Sequence, residues 1–528
     1  MNNLQHIPLD EILLMSFHAA DEGEIELSQK LYDSFISTKE KAIKLAEKAS
    51  INGDLETLDI ISKSFEKAKL VSKSRTNIEN NKLSNVIDDN FLNLENNNVN
   101  QNNLNVNELA KNIISEFQKS QNNELTQNEI ENFENYNLDS ASFKDAKFSD
   151  DKLLRKYLRE ENYEAGVRRS SKLLEKDTNS SFLNNYLGYC LKSLNKIDEA
   201  RKAFIKALSI QKDAPEIVFN NAKLDLKLGN FDIGWKDYDA GLKYNLRNIF
   251  EGFLLNKKPI WDGKPFKGCL LIYGEQTISD QLIFSTVIED LLKVHQNVAL
   301  VIDKRLKKIF QRTYKNLTIF GDDEDLSNFD YARHIPMGSL CKYYRNEVKN
   351  FDQCSEKYLI TSPEIDNQIE LLFPNTDGLK IGVSWKDFDL IKNSTKYLSN
   401  SDVSKVTEFG NNTFINLQFG DVSNDLIQIN DNSKNKIHHI PGINYSENVE
   451  SYASIIKKCD LIISVDNMTA HLAARLGKPV WVLLSNNCDY KWQEKTENSI
   501  WYKNTLLLRQ TNKNDWSKII GYINSALK

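Results

Sequence analysis

Six cysteines in 528 residues, none in a CxxC pair, leave nothing from which to build a zinc ribbon or a disulfide framework. Cys190, Cys269, Cys341, Cys354, Cys459 and Cys488 are scattered singly, as suits a reducing compartment. There is no basic excess: 68 Lys and Arg against 74 Asp and Glu give a net charge of −6, which argues against a general nucleic-acid binder. No apolar run approaches the roughly 18 residues of a membrane span. The opening MNNLQHIPLDEILLMSF lacks the basic and apolar regions of a signal peptide. His438-His439 has no further ligand at metal spacing, so no metal is expected. These absences together predict a cytoplasmic protein with no membrane span and no nucleic-acid partner.

What is there is too long for one core, and two to four domains are expected. Residues 1–75 read as a helical region: Leu9, Ile12, Leu13 and Phe17 share a helix face, as do Leu27, Leu31 and Phe35. From 76 to 146 the composition falls into Asn, Glu and Ser, as in NLENNNVNQNNLNVNE. Such a tract buries too little apolar surface to offset its ordering entropy and reads as a flexible linker, interrupted by a short helix near Val106–Phe117.

A repeat follows, over residues 147–247. Ala200, Phe204 and Ala207 recur 34 residues later as Gly234, Tyr238 and Gly241, and Gly166, Ser170 and Leu173 hold the same spacing one unit earlier. Leu187 and Gly188 add the small-large pattern in the first helix of the middle unit. A 34-residue period of this kind is the tetratricopeptide signature, and about three repeats are expected. An ordinary helical bundle is the plainer alternative. Repeats of this type present a concave surface to a peptide or to another copy, so a protein partner is expected here.

Beyond residue 248 the pattern changes to alternating strands and helices, split into halves 248–378 and 379–528. Cys269–Tyr273 and Val298–Ile302 read as strands with a helix over Gln281–Val294 between them. IGVSW and TFINLQF read as strands of the second half, with a helix near Glu450–Lys458. The most informative stretch begins at Asp460. Leu461–Val465 is a buried strand, Asp466 a candidate N-cap, and Thr469–Ala474 a helix that stops at Gly477, before the strand Val480–Leu484. A strand that turns into a helix N-terminus aims several unpaired backbone N–H groups at one spot, an arrangement suited to phosphate. In an open α/β sheet that turn lies at the carboxyl ends of the strands, where ligands bind.

The repeats together with WDGKPFKGCLLIYGEQTISDQLIF, IGVSW, FINLQFGD, DLIISVDNMTAHLAARLGKPVWVLL and SIWYKNTLLLRQ resemble bacterial repeat-containing glycosyltransferase-like proteins. The sheet halves are similar to those of ADP-heptose lipopolysaccharide heptosyltransferases, and more distantly to O-linked N-acetylglucosamine transferases. The resemblance covers residues 150–528. It implies a helical region and tetratricopeptide repeats followed by a GT-B pair of Rossmann-like domains, an α plus α/β architecture. It also implies inverting, metal-independent transfer of a sugar, with no cofactor, from a nucleotide-sugar to a protein or glycan acceptor. The C-terminal half would hold the donor. There Asp466 matches the sugar-facing acid of the VDT-x-x-x-H-L-A motif and Asn467 stands in place of its Thr. Met468, Thr469 and the residues up to His471 would cradle the diphosphate, His471 adding a donor. In the other half Glu275-Gln276-Thr277-Ile278-Ser279-Asp280 matches the E-Q-G-x-G-D loop, whose Asp is the family's proposed general base, here Asp280. Lys386, Lys392 or Lys396 could face the phosphate.

This loop departs from the pattern where Thr277 and Ser279 replace both glycines, residues normally kept where backbone approaches a ligand or takes positive φ. Plainer roles stand beside the chemical ones. Asp466 and Asp280 could each cap a helix, His471 could be a hydrogen-bonded structural residue, and Glu275 could only shape its loop. Trp385 and Trp501 fit a packed core better than a stacking platform. Trp492 and Lys491 could line the cleft. The alternative to a transferase is a repeat scaffold carrying a non-catalytic glycosyltransferase-like domain, in which aromatic residues fill the cleft.

Overall fold

The computed structural model describes residues 152–249, 258–352, 357–374, 378–386, 396–408 and 410–528. The helices and linker expected over residues 1–146, and Lys392, lie outside these residues.

The described chain opens with six helices: α1 Lys152–Arg159, α2 Tyr163–Leu174, α3 Ser181–Ser193, α4 Ile197–Ile210, α5 Pro215–Lys227 and α6 Phe231–Tyr238. Their starts are set locally. Asn162 accepts from Ala165 N at 3.2 Å, Ser180 accepts from Leu183 N at 3.2 Å, and Pro215 takes the first turn of α5, where its missing N–H costs nothing. Neighbouring helices pack pairwise through the small residues of the repeat. A Cβ on Gly188 would lie 2.7 Å from the Phe204 ring, and one on Gly234 would lie 2.7 Å from the Leu226 side chain. The small-large spacing in the sequence is thus a record of helix contacts.

Two parallel sheets follow. The first comprises β1 Leu270–Tyr273, β2 Val298–Ile302, β3 Thr318–Gly321 and β4 Arg333–Pro336, in the order β3-β2-β1-β4. Leu270 is in register with Val298 on one side and Arg333 on the other. The second comprises β5 Lys380–Ser384, β6 Thr413–Asn416, β7 Ile437–His438, β8 Leu461–Val465, β9 Val480–Leu484 and β10 Thr505–Arg509, in the order β10-β9-β8-β5-β6-β7. Counted from its own first strand, this is the doubly wound order 3-2-1-4-5-6 of dinucleotide-binding sheets. Every residue of β1, β2 and β8 is buried, as strands covered on both faces require.

The helix expected over Gln281–Val294 is in fact broken. It runs as α7 Ile278–Phe284 and α8 Ile288–Val294 with a 3₁₀ turn at Ser285–Val287 between them. Ser285 Oγ and Thr286 Oγ1 donate back to the carbonyls of Leu282 and Ile283 at 2.7 and 2.8 Å, and such back-bonding competes with the α-helical ladder. Further helices used below are α9 Ser423–Asp431, α10 Val449–Lys458, α11 Met468–Arg475 and α12 Ser517–Ala526.

One apolar cluster runs from Phe219, Trp235 and Tyr238 of the helical region through Ile272 and Phe284 to Ile462, Leu472 and Trp501. A second fills the other face of the second sheet, where Ile381, Ile463 and Leu483 meet Ile519 and Ile523 of α12. Among the described residues no helix is long and apolar enough to cross a membrane.

Candidate functional site

In each sheet the strand order reverses next to the first strand, and the segments of interest leave from there. The Glu275–Asp280 loop follows β1, the first sheet's switch point, while Asp466 follows β8 and Lys386 follows β5, the two strands flanking the switch point of the second. Helices α7 and α11, which start from these loops, pack on one another. Small residues allow this approach: Ala470 and Ala473 of α11 are fully buried in the shared core. The consequence is that the two switch points meet.

Asp466 does not cap α11. The N-cap is Asn467, with an extended backbone and a side chain that accepts from Thr469 N at 2.9 Å. Its oxygen also accepts from Ser464 Oγ at 3.0 Å, and its amide donates to Ser384 Oγ at 2.9 Å and to the Lys386 carbonyl at 3.1 Å. Asn467 thus ties β5 to β8 with its whole hydrogen-bonding capacity. Thr469 is equally engaged, with Oγ1 2.6 Å from Tyr452 Oη and 3.3 Å from Ser384 Oγ, and Met468 packs in the core. The side chains of these three residues belong to the scaffold, and the Thr469 N–H is already taken.

Relieved of capping, the Asp466 side chain is 28% exposed. Its Oδ1 lies 3.6 Å from His471 Nε2, and the other ring nitrogen, Nδ1, lies 3.1 Å from Tyr502 Oη. The imidazole is stacked on Trp492, with centroids 4.9 Å apart. Burial pushes the Asp466 carboxyl up, but His471, Lys491 and the Trp492 indole together outweigh it and hold the group at about 2. His471 Nε2 and Trp492 Nε1 are buried and without a hydrogen bond. Both ring nitrogens are turned toward the Asp466 carboxylate, His471 Nε2 stopping short of a formed bond at 3.6 Å.

Asp280 stands on the other side of Lys491. Lys491 Nζ lies 2.9 Å from Asp280 Oδ1, and both side chains are nearly buried. The opposite oxygen, Oδ2, accepts from Thr277 Oγ1 at 2.6 Å and from Thr277 N at 3.2 Å, while Thr277 Oγ1 accepts from Asp280 N at 3.3 Å. This is a reciprocal capping box at the start of α7. Burial pushes Asp280 up, and Lys491 and Thr277 more than reverse it, leaving the carboxyl below the usual range. Burial works against the charge on Lys491 as well. Asp280, Asp489 and Asp466 overcome it and hold the amine well above the ordinary lysine value. One lysine therefore serves acids from the switch points of both sheets.

The loop also shows why Thr277 and Ser279 are tolerated. The residue with left-handed backbone is Gln276, at φ 55°, while Thr277 has an ordinary extended φ of −100° and supplies the cap. Ser279 lies within the first turn of α7. Neither position requires a glycine. Gln276 donates from Nε2 to Tyr238 Oη, and Glu275 is fully engaged in the fold. Glu275 takes two bonds from Arg247, through Nε at 2.9 Å and through Nη2, and one from Gly338 N at 3.2 Å, while Arg247 Nη1 reaches Asp239 at 2.8 Å. This network locks the chain after α6 onto the β1 loop.

Of the lysines expected to face a phosphate, Lys386 forms an ion pair with Asp425 of α9, and Lys396 is exposed. Trp385 and Trp501 are both buried in the core. Trp235, Tyr238, Phe284, Tyr490 and Trp501 form an edge-on aromatic seam, with Tyr238 and Tyr490 hydroxyls 3.2 Å apart. Arg247 and Tyr490 carry no sequence signal of their own, and Tyr502 is marked only by its place in the SIWYKNTLLLRQ stretch. They lie far along the chain from their partners, and spatial convergence selects them.

No family model matches the chain. It is similar to protein FlbA of Caulobacter vibrioides, 22% identical over 352 residues, covering 62% of this chain and 57% of the relative. The chain thus spans little more than half of that relative's length. Among solved structures it is similar to the ADP-heptose lipopolysaccharide heptosyltransferase II of Escherichia coli, with 10% identity, a TM-score of 0.37 and coverage of 49% of this chain and 98% of that one. A family 9 glycosyltransferase of Veillonella parvula gives 10% identity and a TM-score of 0.36 over 49% and 92%. An O-GlcNAc transferase variant of Thermobaculum terrenum gives 12% and 0.26 over 71% and 91%.

Proposed function

We propose that residues 147–528 form a GT-B glycosyltransferase, tetratricopeptide repeats leading into two Rossmann-like halves, that moves a sugar from a nucleotide-sugar to a protein or glycan hydroxyl. The observation that carries this reading is the Lys491 amine, paired with Asp280 at 2.9 Å and within the electrostatic field of Asp466, one acid from each sheet's switch point. In the reaction the acceptor oxygen attacks the anomeric carbon from the Asp280 side, the bond to the nucleoside diphosphate breaks, and Asp280 takes the hydroxyl proton as the new bond forms. Lys491 neutralises the departing diphosphate. Asp466 and His471 hold the sugar or a phosphate oxygen.

The ion pair gives this scheme a physical logic. With Lys491 on Asp280 the carboxyl is a poor base, since the pair and Thr277 lower it. A donor diphosphate that draws Lys491 away leaves burial, the largest influence on Asp280, to raise it toward a useful base. Nucleotide binding would thereby switch the base on.

A scaffold without transfer activity is the second reading, favoured by one specific observation. The aromatic seam through Tyr238 and Tyr490 occupies part of the space beside Asp280, and both Asp280 oxygens are engaged. The two readings separate in a thermal-shift screen of the full chain against nucleoside diphosphates and nucleotide-sugars, ADP-heptose included. A ligand at 100 times its Kd adds about 2.7 kcal/mol of stability. For a transferase one nucleotide-sugar stabilises the wild type, Asp466→Ala abolishes the shift, and Asp280→Asn retains binding while losing transfer. A well-folded sample that no nucleotide stabilises sinks the transferase reading.

A further inference from the structure

The helical region brings three lysines toward the loop that carries Tyr490 and Lys491. Lys192 closes α3, and Lys223 and Lys227 stand one turn apart on α5, the helix that packs against the loop carrying Tyr490 and Lys491. Lys227 is buried, with Nζ 2.8 Å from Asn487 Oδ1 and 3.3 Å from Asn195 Oδ1, both neutral oxygens. Lys192 and Lys223 are recessed, their amines 4.8 Å above the Tyr189 ring and 4.4 Å above the Phe219 ring. Among the described residues no carboxylate lies within ion-pair distance of any of the three amines. Recessed ammonium groups cost stability unless paired, and three on one face without a counter-ion are hard to account for as scaffold alone.

We propose that Lys192, Lys223 and Lys227 form an anion subsite built by the repeats, which binds the oxygens of a phosphate or diphosphate group. The subsite extends the donor reading above and rests on it only for the source of the phosphate. The surroundings fit such a ligand. Lys192 faces Lys223 and Lys227 on α5, Lys396 on the chain after β5, and the acid Asp489. Lys223 faces Asp489 and Asp280, and Lys227 faces Cys488, Glu494, Asp489 and Arg509. Burial, then mutual repulsion, lowers Lys192 to about 7, and burial lowers Lys223 to about 8 despite Asp489 and Asp280. At neutral pH these amines carry only part of their charge. An arriving phosphate restores it, so binding takes up protons and strengthens as pH falls from 9 to 7.

The test is calorimetric titration of the full chain with inorganic pyrophosphate and with ADP and UDP, at pH 7 and pH 9, in buffers of different ionisation enthalpy. The wild type should bind pyrophosphate more tightly at pH 7, with net proton uptake. Lys192→Met with Lys223→Met should weaken binding at least tenfold and remove the uptake, with a melting curve to verify folding. Lys223→Arg should keep the affinity and reduce the uptake, because a guanidinium stays charged. A nucleoside diphosphate weakened both by the lysine variants and by Asp466→Ala identifies the donor as the source of the phosphate. Pyrophosphate that depends on the lysines while no nucleotide binds leaves the subsite standing and removes the donor reading. Undiminished pyrophosphate binding in the double methionine variant, or none to the wild type, overturns the subsite.

Discussion

A single amine decides the electrostatics of the cleft. Lys491 balances Asp280 at 2.9 Å and lies within the field of Asp466 and Asp489, so removing it strands at least one nearly buried carboxylate. Breaking a buried pair on one side typically costs about 3–5 kcal/mol. Lys491→Met is therefore expected to lower the unfolding free energy from urea titration by that order, and adding Asp280→Asn to recover a good part of the loss. Equal free energies for the single and double variants would mean that the pair is not what holds the loop. The same scale shows how close chemical and structural roles run here. At Asp280 the capping role was legible from its place near a helix start and the chemical one only from the resemblance of its loop, and the structure displays the capping role. At Asp466 the structure removes the cap, because its neighbour Asn467 can reach Ser384 and the Lys386 carbonyl as well as Thr469 N.

Among elements, the helix pairs are held by glycines whose missing side chains are filled by a partner. Gly188 lies under Phe204 and Gly234 under Leu226, each with room for hydrogen only. Gly188→Val is expected to force overpacking worth about 1–3 kcal/mol. Calorimetric melting should show the loss, and an unchanged melt would contradict the packing described. The strands β1, β2 and β8 were visible in the sequence because two-sided burial leaves continuous apolar runs. Short strands such as β4, Arg333–Pro336, and the two-residue β7 were not, since neighbouring strands and not their composition define them.

For the whole molecule, acid should be the weak side. The Asp466 carboxyl is held at about 2 and Asp280 is lowered, against about 3.9 for an unfolded aspartate. Groups depressed on folding contribute stability that is complete above the unfolded value and lost as pH falls through the folded one. The unfolding free energy from urea titration should thus decline between pH 5 and pH 2, by about 2 kcal/mol less in Asp466→Asn than in the wild type. Parallel declines would show that Asp466 does not report on this linkage. Such coupling spans the molecule because α7, α11 and the Lys491 loop arrive from three distant parts of the chain.

The sequence by itself determined the local facts: the repeat spacing, the buried strands, the βα turns and the acids placed in them. These follow from period, burial and capping preferences that act over a few residues. Only the tertiary structure decided which side chains those acids would face. Lys491 lies 211 positions from Asp280, Arg247 reaches Glu275 from the end of the helical region, and the lysines of α3 and α5 meet Asp489 across some 260 residues or more. Electrostatic partnership depends on distance in space and on the exclusion of water, and no periodicity along the chain encodes either.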